Sequence, residues 1–176
     1  MSFEQIYLDH NSMVYNLALS YVQNSEDAQE ITQDVFIRVF QSLKSFQNQS
    51  TIKTWMYRIT INICLDYIKA KKRKKRFAFI SSLFVDDSVK LRHEVIDFNH
   101  PGIKMEDKEA LEILLNKIND LPDKQKTALI LHKIEHKMQN EISEIMNLTP
   151  KAVESLIQRA KINLQKSLDS AKDDLK

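Results

Sequence analysis

The sequence predicts an all-α protein made of two small helical domains joined by a linker. Three observations predict it. The 176 residues include only 1 glycine and 3 prolines, too few for sandwiches or barrels built on tight turns, whereas long helices need few of either. Apolar residues recur three and four apart through most of the chain. That spacing fails once, from Phe77 to about Met105, around the Pro101–Gly102 pair. The length allows a real core in one domain or in two small ones.

The elements follow in order. Ile6, Met13, Val14, Leu17, Ala18 and Tyr21 mark a first helix. In "NSEDA", Ser25 is placed to cap the next helix, with Glu26 and Asp27 at the positive end of its dipole. Ala28, Ile31, Thr32, Val35, Phe36, Val39, Phe40 and Leu43 form that helix's inner stripe. Polar residues break the pattern over 44–51, which predicts a loop. Ile52, Trp55, Met56, Ile59, Ile63 and Tyr67 resume a stripe that ends in a basic run. Residues 77–106 read as a linker or functional loop, although Phe77, Phe79, Ile80, Leu83 and Phe84 would also suit a stray packed helix.

Helical spacing returns at Ala110, Leu111, Leu114, Leu115 and Ile118, and Pro122 is placed to begin the following helix, which should cover Thr127 to His136. A short helix is expected over Asn140–Met146. Thr149 caps the last one, with Pro150 at its first position and its end near Leu168. The domains are thus expected at 1–76 and 107–170, with a frayed tail at 171–176.

Charge is distributed unevenly. The net charge is +2, yet residues 69–76 carry seven basic residues and no acid. Holding these together costs repulsion that a polyphosphate would relieve by releasing counterions, so a polyanion contact is the better reading of the run. Cys64 is the only cysteine, which excludes an intramolecular disulfide and a cysteine-based zinc site. The start, MSFEQIYLDH, has neither a basic nor an apolar leader region, and no run is long enough to span a bilayer. A cytoplasmic protein without membrane insertion is expected.

The strongest motif is "NEISEIMNLTPKAVESLIQRAKINL". Ile142, Ile145 and Met146 make one short apolar face, Asn147 suits a left-handed helix end, and Leu148 would plug the turn. Val153, Leu156, Ile157 and Ala160 then point inward on a longer helix. This is the layout of a helix-turn-helix, the second helix of which lies in the major groove. Thr149, Lys151, Glu154, Ser155, Gln158, Arg159 and Lys161 would face outward. An ordinary helical hairpin is the alternative. "HKIEH" (132–136) fits a zinc-peptidase pattern, with His132 and His136 a turn apart on a helix, but two imidazoles are not a complete site. In "TWMYRITINICLDYIKAKKRKKR" (54–76), spacing favours a core role for Trp55, Ile59, Ile63 and Tyr67 over a base-stacking platform. Trp55 stays open between the two, and Cys64 reads as a small core residue.

Two stretches resemble one family. "DAQEITQDVFIRVFQSLKSFQNQSTIKTWMYRITINICLDYIKAKKRKKR" is similar to region 2 of the bacterial sigma-70 family. "LPDKQKTALILHKIEHKMQNEISEIMNLTPKAVESLIQRAKINLQKSL" is similar to its region 4. With nothing like region 1 or a folded region 3, the chain resembles the extracytoplasmic-function (ECF) sigma factors. The resemblance implies a non-enzymatic initiation factor that needs no cofactor, binds core RNA polymerase, directs it to promoters and helps melt the duplex.

It also implies roles residue by residue. Glu30, Gln33, Asp34 and Ile37 would dock on a coiled coil of the largest polymerase subunit. Asn48, Gln49 and Ser50, in the loop 46–51, would bond a base flipped from the non-template strand. Trp55, Tyr57 and Arg58 match the melting segment, with Lys69, Lys72 and Arg73 near phosphates. Thr149, Lys151, Glu154, Ser155, Gln158, Arg159 and Lys161 would read the upstream promoter element. Asp86 and Asp87 would mimic nucleic acid in the linker, and an anti-sigma protein is an expected partner. The recognition helix departs from the family pattern at Glu154 and Leu156, where positive charge is usual. Weak binding of region 4 to DNA on its own is therefore expected, with Glu154 accepting from a cytosine amino group or repelling wrong sites. A stand-alone helix-turn-helix regulator and a polymerase-binding antagonist are the alternatives.

Overall fold

The computed structural model describes residues 2–47, 49–84 and 113–173. Asn48, Asp86, Asp87 and most of the expected linker lie outside the described residues. Every regular element among the described residues is helical.

Helix α1 (Phe3–Val22) is capped by Ser2, whose side chain accepts from the Gln5 N–H. Ile6, Val14, Leu17, Ala18 and Tyr21 are fully buried along one stripe. The helix ends at Gln23, which is left-handed (φ 59°) and donates its N–H to the Leu19 carbonyl at 2.8 Å. Helix α2 (Ser25–Ser42) is capped by Asn24 rather than by Ser25, because the Asn24 side chain reaches the Asp27 N–H at 2.9 Å. A 3-10 turn (Leu43–Ser45) closes α2 and leads into the predicted loop.

Helix α3 (Ile52–Phe84) has 33 residues. It starts at Thr51, which accepts from the Thr54 N–H, and does not stop at the basic run. Lysine and arginine are good helix formers, and the helix continues through Phe84, into the segment read from sequence as a linker. Helices α1, α2 and α3 pack against one another as a three-helix bundle. Thr32 and Thr60 are buried inside helices and satisfy their hydroxyls on the carbonyls four residues back, Ala28 and Met56.

The second domain comprises α4 (residues 113–119), α5 (Asp123–Lys133), α6 (Gln139–Met146) and α7 (Pro150–Asp173). Pro122 stands just before α5 rather than inside it. Helix α5 ends at Lys133, short of the His136 expected from sequence, and α7 runs past Leu168 to Asp173. One buried cluster runs from Ile6 to Ala160, so the two domains share a continuous apolar interior.

Candidate nucleic-acid and polymerase interfaces

The helix-turn-helix forms as its local signals require. Glu141 reaches back to the Met138 N–H at 2.9 Å and fixes the start of α6. That bond from the backbone N–H is also the largest cause holding the Glu141 carboxyl below the usual carboxylate range. Ile142 and Ile145 are buried. Asn147 turns left-handed (φ 52°, ψ 50°), which lets the Leu148 N–H reach the Ser143 carbonyl at 3.0 Å. Thr149 then accepts from the Ala152 N–H at 3.2 Å and opens α7. Val153, Ile157 and Ala160 are buried beneath it. Thr149, Lys151, Glu154, Ser155, Gln158, Arg159 and Lys161 are all exposed, as the helical spacing predicts.

The loop before α3 is walled by two rings. Phe46 packs against Trp55 with centroids 4.8 Å apart, which puts Trp55 at the loop edge of the core, half-buried. Gln49 is exposed and donates to the Gln47 side-chain oxygen, while Ser50 is half-buried. Among the basic residues Lys72 and Arg73 are exposed. The run does meet acids brought in by the fold: Lys69 pairs with Asp123 at 3.0 Å, and Lys71 pairs with Asp27.

Tyr57 and Arg58 are placed differently from the rest of the melting segment. Tyr57 is 3% exposed; its phenol donates to the Glu135 carboxylate at 2.8 Å, and the Lys137 ammonium sits over its ring at 5.3 Å. Burial, then the bond to Glu135, pushes its phenol up from its ordinary value. Arg58 donates to the Glu144 and Ile145 carbonyls at 2.7 and 3.2 Å. Nearby on α5, Lys126 is buried, and desolvation followed by the charge of Lys72 lowers its ammonium from the usual lysine range.

On α2, Glu30, Gln33, Asp34 and Ile37 are exposed on one side, Ile37 to 55%. Phe40, placed in the core stripe by spacing, is 66% exposed and meets Phe3 edge-on at 5.2 Å. At about 100° per residue it lies some 60° round from Ile37, so it extends this outer face. The helical angle was the signal that could have placed it there.

His132 and His136 do not share a helix face. His132 lies in α5 with a buried Nδ1 that has no partner, whereas His136 lies past the helix end in a left-handed conformation. Among the described residues no group of three or more histidine, cysteine, aspartate or glutamate side chains is placed to hold a metal. No helix among them is long and apolar enough to cross a membrane.

A three-helix bundle with a loop-edge aromatic pair and a basic helix, followed by a helix-turn-helix, defines a two-domain helical DNA-binding protein of the initiation-factor class. The family descriptions "Sigma-70 region 2" and "Sigma-70, region 4" match residues 6–74 and 111–164. The chain is 30% identical over 152 residues to the RNA polymerase sigma factor SigV of Bacillus subtilis, covering 86% of this chain and 82% of that one. It belongs to the sigma-70 family of RNA polymerase sigma factors, in the ECF group. The ECF sigma factor SigW of Bacillus subtilis is 28% identical over 171 residues, 95% of this chain and 89% of that one. The fold is shared with the sigma factor RpoE of Bartonella quintana, solved with the anti-sigma factor NepR (TM-score 0.60, 20% identity, 95% of this chain and 96% of that one). It is shared also with CnrH, solved with the cytosolic domain of CnrY (TM-score 0.62, 20% identity, 96% and 88%). As a sigma factor, the protein binds core RNA polymerase, directs it to specific promoters and helps melt the duplex. Sigma factors are in general not catalysts.

Proposed function

We propose that the three exposed surfaces divide the work of initiation. The face Glu30, Gln33, Asp34, Ile37 and Phe40 docks on the largest polymerase subunit. Its mixture of acids with a half-exposed isoleucine and a phenylalanine costs free energy in water, and covering it removes that cost. The Phe46–Trp55 pair and the loop side chains Gln49 and Ser50 line the place for an unpaired base, where stacking is worth about 1–3 kcal/mol. Lys72 and Arg73 hold backbone phosphates, joined by Lys69 when it leaves Asp123. Tyr57 and Arg58 act on the opened strand once they leave their partners in the second domain. The α7 face from Thr149 to Lys161 reads the upstream element.

Residues 1–76 therefore serve as the polymerase and melting unit and 107–170 as the duplex reader. The protein acts in the cytoplasm, has no catalytic step and needs no cofactor, because binding energy drives melting. An anti-sigma protein is a partner; one solved protein of this fold, RpoE of Bartonella quintana, is named with one.

The carrying observation is the pair of surfaces on one chain: an exposed reading helix behind Asn147 and an exposed apolar-acidic face on α2. A stand-alone duplex-binding regulator has no use for the second. Core polymerase plus this protein should give promoter-specific initiation and permanganate-reactive thymines. Tight duplex binding with no effect on core enzyme would overturn the reading.

A further inference from the structure

Among the described residues, Lys126 is the only charged side chain that is buried, with 1% of its surface exposed. The fold gives it no counter-ion: among the described residues its ammonium makes no hydrogen bond and no ion pair. The other buried polar residues, Ser20, Gln23, Thr32, Thr54, Thr60 and Thr127, each have a side-chain partner. A buried ammonium left alone is costly, and an anion would remove the cost.

The surroundings of Lys126 suit an anion. Helix α5 opens at Asp123, and Pro122 before it supplies no side-chain cap. The Lys126 N–H is the first to close a helical turn, onto the Pro122 carbonyl at 2.9 Å. The N–H groups of Asp123, Lys124 and Gln125 therefore have no acceptor within the helix. A helical side chain leans toward the N-terminus of its helix, so the Lys126 stem lies back over this first turn. That turn meets the basic run of α3, because Lys69 pairs with Asp123 at 3.0 Å. Of the charges acting on Lys126, that of Lys72 is the strongest, ahead of Asp123, Asp120 and Lys69. Its strongest charged neighbour is thus another ammonium, and the nearer acid is already engaged by Lys69.

We propose that Lys126, Lys72 and the first turn of α5 form a binding site for a phosphoryl group, which Lys69 joins when it releases Asp123. A phosphoryl group brings the negative charge that the site lacks. Its oxygens diverge tetrahedrally, which suits donors converging from α3 on one side and α5 on the other. The Lys69–Asp123 pair is half in water, at 58% and 43% exposure, so it yields the lysine at little cost. The ligand is a small free molecule ending in a phosphoryl group. Such an end fits a narrow place beside a covered ammonium, whereas a backbone phosphate of nucleic acid is flanked by two sugars. The site shares Lys72 with the proposed promoter contacts, so its test centres on Lys126, which has no part in them.

The full chain is titrated with pyrophosphate by calorimetry, at an ionic strength held constant with chloride, and urea denaturation is followed in parallel. At pyrophosphate ten times its Kd, the folded-to-unfolded ratio should rise about elevenfold. Lys126→Met keeps the apolar stem and removes the ammonium. It should weaken pyrophosphate binding about 10- to 150-fold, the range for losing one charged hydrogen bond. In chloride alone it should be at least as stable as the wild type, because it removes a buried charge that has no partner. Lys72→Met, at an exposed position, is the second variant and should weaken binding by a smaller factor without disturbing the core. Phosphates also stabilise proteins by exclusion from their surface. That effect acts on all variants alike, so the difference between variants is what counts.

An unchanged urea midpoint of the wild type in pyrophosphate overturns the site. So does a pyrophosphate affinity that neither substitution alters. A fluorescent single-stranded oligonucleotide separates the sources of the phosphoryl group. Oligonucleotide binding that survives Lys126→Met, with pyrophosphate binding lost, upholds the free ligand. Equal loss of both overturns it and assigns the site to the nucleic-acid backbone.

Discussion

Truncating Ile37 and Phe40 to alanine should weaken binding to core polymerase strongly while leaving the fold in place. Fully burying such a side chain is worth about 1.5–3 kcal/mol. Ile37 is 55% exposed and Phe40 66% exposed, so the part that a partner can still cover is worth about 1–2 kcal/mol for each. Allowing for the alanine methyl, the pair should lose about 2–3 kcal/mol, or about 30- to 150-fold in Kd. The folding cost is small by contrast. Alanine at position 37 improves helix propensity, and loss of the Phe40–Phe3 edge contact removes about 0.5–1.5 kcal/mol. Fluorescence anisotropy with labelled sigma and purified core enzyme measures the first quantity, and urea denaturation of the same variant measures the second. A Kd for the double variant within about twofold of wild type, with the urea midpoint retained, refutes this face as the docking surface.

Three further outcomes are expected. Glu154→Lys should change promoter preference at one base pair of the upstream element by about 1–3 kcal/mol, measured by competition among single-base promoter variants, and an unchanged ranking removes Glu154 from the reading face. Thr149→Ala removes the cap of α7, which accepts from the Ala152 N–H, and should cost about 1 kcal/mol in urea denaturation. Stability should fall in alkali. Burial pushes the Cys64 thiol from its ordinary value of 9.0 up to about 12, and Tyr21, Tyr57 and Tyr67 are likewise raised above 10.0, chiefly by burial. Each favours the neutral form in the folded chain, so its contribution is complete below pH 9 and is lost as pH rises above that. A urea midpoint that holds constant from pH 8 to pH 11 contradicts this.

The helix-turn-helix was legible because every signal in it is local. Asn147, Leu148, Thr149 and Pro150 specify the corner within four consecutive residues, and the bonds that close it join Leu148 to Ser143 and Thr149 to Ala152 and Val153. Composition and spacing likewise gave the bundle of α1, α2 and α3. The end of α3 was not legible, because a run of like charge reads as a boundary although lysine and arginine extend a helix readily. His136 left its helix for a similar reason: α5 ends at Lys133, and no glycine or proline marks the place. Asn24 and Ser25 are both good caps, and the chain begins the helix one residue earlier than the acidic pair suggested. Step counting alone sets Phe40 inward, whereas its angle to Ile37 sets it on the outer face, where it is exposed. The partners of Tyr57 and Arg58 lie 78 to 87 residues away in sequence. No local pattern carries that information.

The long-range contacts explain why α3 buries more than one stripe. A helix packed on one neighbour needs apolar residues along a single face, with the opposite side polar. In α3, Met56, Tyr57, Thr60, Ile61 and Cys64 are buried, and Trp55, Ile59 and Ile63 are partly buried beside them. One side is held by α2, where Asp27 accepts from Tyr67 and pairs with Lys71. The other meets the second domain through Tyr57 and Arg58. The hydrogen bonds on that second side come from polar and charged groups, a phenol on a carboxylate and a guanidinium on two carbonyls. These polar contacts lie beside the apolar interior that the two domains share, so the second side of α3 is held by both kinds of contact.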